Sequence, residues 1–198
     1  MAPVEWLFAL VAGSRPVPGS RGTFLVACHP YRGAAVELPG GALVRRGDRV
    51  AEIHFWNGRI AGRGGRDAAA LTWAFARDFR ADLGALARAL ELGRLGPPVV
   101  AVFGASPLAA AGARFGFTVR PLPPGWRRAA LTAWQRRLRR VFAPRVAAPG
   151  IDAETAELWM AAAELRRRYG GRGPERADLA ASGRATSGRG RGKGDRAP

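Results

Sequence analysis

Glu52 and His54 stand two residues apart in the stretch Gly47–Ile60, GDRVAEIHFWNGRI. In an extended strand, residues i and i+2 project from the same face, so the alternation of Val50, Glu52, His54 and Trp56 with Ala51, Ile53, Phe55 and Asn57 puts a carboxylate beside an imidazole. Such a pair suits general acid/base chemistry, because the carboxylate orients the ring and raises its basicity towards neutral pH. Arg32, Asp48 and Asn57 are the polar residues that would hold a sugar or phosphate next to it. The chain is poor in these residue types, with histidine only at His29 and His54 and side-chain amides only at Asn57 and Gln135. Placing one of each here is a departure from its composition. A purely structural reading stays open, in which this face is solvated, or Glu52 pairs with an arginine and His54 donates to a carbonyl.

Other stretches offer less. Gly104-Ala105-Ser106-Pro107 follows an apolar run and precedes a short helical segment, a place where backbone amides can bind an anion, but it lacks the lysine and spacing of a phosphate loop. Ser106 does not fit the pattern of an activated nucleophile. Cys28 is the sole cysteine, so an intrachain disulfide is excluded and a thiolate zinc cluster cannot be built. It adjoins His29, but neighbours on a strand point to opposite faces, and the thiol reads as buried and inert. No metal site and no cofactor are expected.

The elements that position these residues follow from periodicity. Pro3–Ala12 reads as a short helix or buried strand, Thr23–His29 and Ala34–Leu38 as strands, and Arg45-Arg46-Gly47-Asp48 as the turn into the main strand. Asn57-Gly58 suits a tight turn, from which Arg59-Ile60-Ala61 would return antiparallel as a central hairpin. Asp67 begins a helix to about Gly93, with Leu71, Phe75, Phe79, Leu83, Leu86 and Leu90 forming an apolar stripe. Val99–Phe103 reads as a buried strand, Phe115–Val119 as another, and Trp126–Phe142 as a basic helix. A last helix is predicted over Asp152–Arg168, its acids leading and its arginines trailing in agreement with the helix dipole. The fold class is therefore α+β: a small mixed, mostly antiparallel sheet with a central hairpin, packed by a long amphipathic helix and C-terminal helices. Residues 1–150 form the domain, 151–169 a C-terminal amphipathic helix, and 170–198 a Gly/Arg-rich tail too poor in apolar residues to fold.

The formal net charge is +17, yet Lys193 is the only lysine and Ala, Gly, Pro and Arg dominate, so part of the arginine excess reflects GC-rich codon usage. What remains predicts attraction to phosphate polymers or anionic membrane surfaces. Between Arg120 and Arg145 there are eight arginines and no acids, and Arg127, Arg128, Arg136, Arg137, Arg139 and Arg140 give the basic helix a surface for lipid or nucleic-acid phosphates. No transmembrane segment or signal peptide is read, which places the protein in the cytoplasm or peripheral to the inner leaflet. The oligomeric state is not legible.

Tyr31-Arg32-Gly33, then Gly47-Asp48 followed by Glu52-Ile53-His54 and Asn57, then Ala113–Phe117 before a Pro-rich turn, resemble the YkoP-like domain over about residues 20–145. That is a bacterial module of unassigned activity, found alone or joined to polysaccharide deacetylases. The resemblance implies an α+β domain acting as an accessory or binding module in envelope polysaccharide or glycolipid metabolism, with a glycan or glycolipid ligand. It brings no catalytic residues, and the metal pattern of a deacetylase is absent from this chain. Two other readings stand beside it. One is an enzyme acting on a glycan or phosphate-bearing substrate through Glu52 and His54, and the other is a nucleic-acid-binding protein using its arginine-rich helix and tail.

Overall fold

The computed structural model describes residues 13–55, 68–106, 109–126, 128–133 and 155–171. Its strands are β1 (Arg15–Pro16), β2 (Phe24–Pro30), β3 (Val36–Leu38), β4 (Ala42–Val44), β5 (Arg49–Phe55), β6 (Ala101–Ser106), β7 (Thr118–Pro121) and β8 (Ala156–Ala161). The helices are α1 (Ala68–Glu91), α2 (Ala109–Gly112) and α3 (Ala162–Leu165), with a 3₁₀ turn at Ala113–Phe115 and a π-helical turn at Arg166–Gly170. Six strands form one sheet in the order β1-β2-β5-β6-β8-β7, while β3 and β4 pair separately. All pairs are antiparallel except β5 with β6, between which α1 supplies the crossover that a parallel pair requires. This is the expected α+β architecture. Both edge strands of this sheet contain a proline, Pro16 in β1 and Pro121 in β7, the positions in a sheet that best tolerate a missing N–H.

One face of the sheet carries the main core. Val26, Ala51, Ile53, Val102, Leu158 and Met160 project towards the α1 residues Phe79, Leu83 and Leu86, all of them buried. Phe79 is the hub of this layer, edge-on to Phe24 at 5.6 Å and to Phe115 at 4.8 Å between ring centroids. From Phe75 to Leu90 the stripe read from the sequence is thus the core-facing side of α1, whose 24 residues span roughly 36 Å. The opposite face is covered in part by the β3–β4 hairpin, where Val36, Leu38 and Val44 pack on Val50, Ala101, Trp159 and Ala161.

Two polar side chains interrupt the apolar side of α1. Asp82 is fully buried and accepts hydrogen bonds from the Arg21 backbone N–H, from the Thr23 N–H at 2.7 Å and from the Thr23 hydroxyl at 2.6 Å. One turn earlier, Asp78 is bonded by Arg21 Nη1 at 2.6 Å and by Arg77 Nε at 3.0 Å. The two carboxylates fasten the helix to the loop that leads into β2.

The C-terminal segment corrects the helix predicted over Asp152–Arg168. Ala156–Ala161 is β8, paired along its whole length with β6 and along four residues with β7, and helix begins only at Ala162. Alanine, glutamate, leucine and methionine favour helix locally, but the preference is worth only tenths of a kcal/mol per residue. Pairing on both edges, with Leu158, Trp159 and Met160 buried, overrides it. Several sequence readings concern residues outside the described ones: the Pro3–Ala12 element, the hairpin turn at Asn57-Gly58 with its return, Asp67 at the start of the long helix, most of the basic helix Trp126–Phe142, and the tail from 172 onwards. Within the described residues β5 lies between β2 and β6.

Close strand packing has a measurable consequence at Gly104. A Cβ there would stand 2.8 Å from the Ile53 carbonyl oxygen and 2.8 Å from its Cγ1, inside β5. Backbone cannot yield cheaply, so Gly104→Ala is expected to cost about 1–3 kcal/mol. Equilibrium urea denaturation reads this directly, and an unchanged midpoint would refute the close approach.

Candidate functional site

β2 and β5 pair with Leu25 opposite His54, Ala27 opposite Glu52 and His29 opposite Val50. Residues opposite one another, and those two apart on one strand, share a face, so Glu52, His54 and His29 all lie on the face away from α1. Glu52 is the centre of the group. His29 Nε2 stands 2.9 Å from Glu52 Oε2, and His54 Nε2 stands 3.8 Å from the same oxygen. Both histidines of the chain therefore flank one carboxylate oxygen.

His29 meets an acceptor at each ring nitrogen: Nδ1 is 3.0 Å from the Pro30 carbonyl and Nε2 is 2.9 Å from Glu52 Oε2. A neutral ring donates at one of them, and an imidazolium donates at both. His54 differs. Its side chain is 19% exposed, and burial lowers its pKa below the ordinary 6.5, opposed by the charge of Glu52 and assisted by that of His29. One carboxylate thus has an imidazole at hydrogen-bond distance on one side and one held towards its neutral form on the other.

A pH dependence follows with a definite sign. The unfolded chain binds a proton at position 54 more readily than the folded one, so stability rises with pH across the interval between the two pKa values. The contribution is complete above the ordinary value and is lost as pH falls through the lower folded value. Urea denaturation from about pH 7 to about pH 5 is expected to show a steeper loss for the wild type than for His54→Gln. Parallel curves would show that His54 is not desolvated.

The floor beside Glu52 is aromatic. Phe103 is opposite Glu52 on β6 and Trp159 opposite Phe103 on β8, their rings stacked at 4.6 Å, and Tyr31 stands edge-on to both at 6.2 and 5.4 Å. His29 is edge-on to Phe103 at 6.1 Å. Trp159 is buried and donates its Nε1 hydrogen to Glu157 at 2.8 Å, whereas Tyr31 and Phe103 are half-buried. Glu157 lies directly across from Arg120. Burial pushes the Tyr31 hydroxyl pKa up, nearby Glu157 adds to this, and Arg120 opposes it. Tyr31, Phe103, Glu157 and Arg120 thereby join the surroundings of Glu52.

The residues named from sequence divide accordingly. Glu52 and His54 are adjacent as expected, and Arg32 is exposed in the loop after β2. Asp48 serves a turn: its carboxylate accepts the Arg45 N–H at 2.7 Å, its own N–H bonds the Arg45 carbonyl, and its carbonyl accepts the Tyr31 N–H. Asn57, Arg127, Arg136, Arg137, Arg139 and Arg140 lie outside the described residues, and Arg128 is half-buried in the helical turns at 128–133. Gly104, Ala105 and Ser106, in sequence only a weak candidate for an anion-binding turn, are strand, paired with Leu158, Glu157 and Ala156 of β8. Cys28 is half-buried with its pKa raised by burial, against the charges of Arg49 and Arg15, as suits an unreactive thiol. Among the described residues no group of three or more His, Cys, Asp or Glu is arranged to hold a metal ion, and no helix is long and apolar enough to cross a membrane. Sequence reasoning set His29 aside. The scarcity of histidine was the available signal, but strand register was needed to use it.

The fold and site define an α+β domain with a mixed sheet, one face given to a helix-covered core and the other to a carboxylate between two imidazoles. The family model of the YkoP domain matches residues 2–169, and the chain belongs to that family. No curated protein and no solved structure matches it.

Proposed function

We propose that this YkoP domain is a binding or accessory module for envelope glycan or glycolipid, and that its ligand sits on the sheet face around Glu52. The observation that carries the reading is the placement of both histidines against Glu52, beside the half-buried rings of Phe103 and Tyr31. Sugars are recognised by such pairings, in which a few convergent polar groups bond hydroxyls and an aromatic surface receives the C–H face. The envelope context is what the resemblance to YkoP-like domains implies.

The test is a titration of the full chain with soluble N-acetylhexosamine oligosaccharides, following the imidazole C–H resonances of His29 and His54 by NMR. Two histidines give an unambiguous spectrum. Saturable shifts of both support the reading, and their absence across neutral, acidic and acetylated glycans would overturn it.

A second reading, an enzyme acting through Glu52 and His54 on a glycan or phosphate-bearing substrate, is favoured by one specific feature. One imidazole at hydrogen-bond distance from Glu52, with a second held towards its neutral form near the same oxygen, is an arrangement suited to proton transfer. Turnover of a glycan that shifts those resonances would distinguish it from binding alone.

A further inference from the structure

A second polar cleft shares no lining residue with the site around Glu52. It has a volume of about 430 Å³ and is lined by Arg80 of α1, Arg114 of the 3₁₀ turn, and Arg167, Arg168 and Tyr169 of the π-helical turn, closed by Gly171. Four guanidinium groups from three elements repel one another unless something anionic lies among them. Glu164 pairs with both Arg167 and Arg168. Among the described residues neither Arg80 nor Arg114 has a carboxylate partner, so the cleft keeps an excess of positive charge.

The arrangement is held in place by packing. Tyr169 is buried, and its hydroxyl donates to the Phe115 carbonyl at 2.9 Å, tying the π-helical turn to the turn that carries Arg114. Gly116 has φ +84°, and a Cβ there would collide with the Arg168 guanidinium, so this glycine both makes the turn and leaves the space that Arg168 occupies. Widened π turns cost hydrogen-bond geometry and recur at functional sites. Here the turn delivers two consecutive arginines to one cleft.

We infer that the Arg80–Arg114–Arg167–Arg168 cleft binds a multiply charged phosphoryl group, either on a soluble phosphoester or on a lipid headgroup. Guanidinium forks match phosphate oxygens, and the volume exceeds that of inorganic phosphate, leaving room for a diphosphate or the organic group attached to a monoester. The inference stands independently of the glycan reading, since no lining residue is shared.

The test uses the full chain and pyrophosphate in isothermal titration calorimetry. The double variant Arg80→Ala/Arg114→Ala is compared with Arg46→Ala/Arg94→Ala, which removes the same charge from exposed positions outside the cleft. The expected result is an affinity for pyrophosphate reduced about tenfold or more in the cleft variant and nearly unchanged in the control. The thermal midpoint of the cleft variant in phosphate-free buffer should equal or exceed that of the wild type, because crowded like charges have been removed. Equal losses in both doubles, or no binding by the wild type, would overturn the inference. Flotation with phosphatidylcholine vesicles containing phosphatidic acid, against vesicles of equal charge made with phosphatidylserine, separates the sources. A preference for phosphatidic acid that the cleft variant loses assigns the lipid headgroup, and pyrophosphate binding without that preference assigns a soluble phosphoester.

Discussion

Asp82→Ala is expected to lower the stability of the domain by about 3–5 kcal/mol, the largest effect of any single substitution considered for this chain. The buried carboxylate accepts two backbone N–H groups and the Thr23 hydroxyl, which fix the loop against α1. Alanine removes both acceptor oxygens, and with them all three bonds, and leaves buried donors at Thr23 without their partner. Asp82→Asn separates charge from shape, since its single carbonyl oxygen can serve only part of that set, and an intermediate loss is expected. Chemical denaturation followed by tryptophan fluorescence gives both values. A loss for the alanine variant within the scatter of ordinary surface substitutions would show that the loop does not need the helix.

Glu52→Gln should behave in the opposite way, costing function and not stability. The side chain is 30% exposed, so its contacts with the histidines are partly screened, and a stability change of no more than about 1 kcal/mol is expected. Ligand affinity on the sheet face should fall about tenfold to a hundredfold, the worth of a charge-assisted hydrogen bond, and any proton-transfer activity should fall about a hundredfold or more. The imidazole resonances report a second change, because His54 loses the negative neighbour that opposes the lowering of its pKa. Calorimetric melting and the oligosaccharide titration on the same sample decide the matter. A drop of several degrees with ligand shifts retained would make Glu52 a structural partner of His29 and remove the basis of the proposed site.

These predictions separate two carboxylates that look alike in sequence. Asp82 sits in a helical stripe one turn after Asp78, and Glu52 in a strand two residues before His54. The difference lies in what surrounds them. Asp82 meets backbone donors from a loop some sixty residues earlier, which makes it a fastening, while Glu52 meets titratable rings and a half-buried aromatic surface.

Local pattern was enough for several features. The period of two in Val50–Phe55 put Glu52 and His54 on one face because the pleat alternates side chains whatever the fold. The helical spacing of Phe75, Phe79, Leu83, Leu86 and Leu90 marked the buried side of α1, since an apolar stripe of that length has to be covered. The resemblance in Tyr31-Arg32-Gly33 and Glu52-Ile53-His54 led to the family that the match over residues 2–169 establishes. Tertiary pairing decided the rest. His29 reaches Glu52 only through the antiparallel register of β2 on β5, a relation between residues 23 apart that no local period encodes. Ala156–Ala161 is a strand because two waiting strand edges outweigh its small helical preference, and this brings Glu157 and Trp159 to the site. Arg80, Arg114 and Arg168 converge for the same reason: the sequence states their charge, but only the packing of α1 against two distant turns gives those charges a common address.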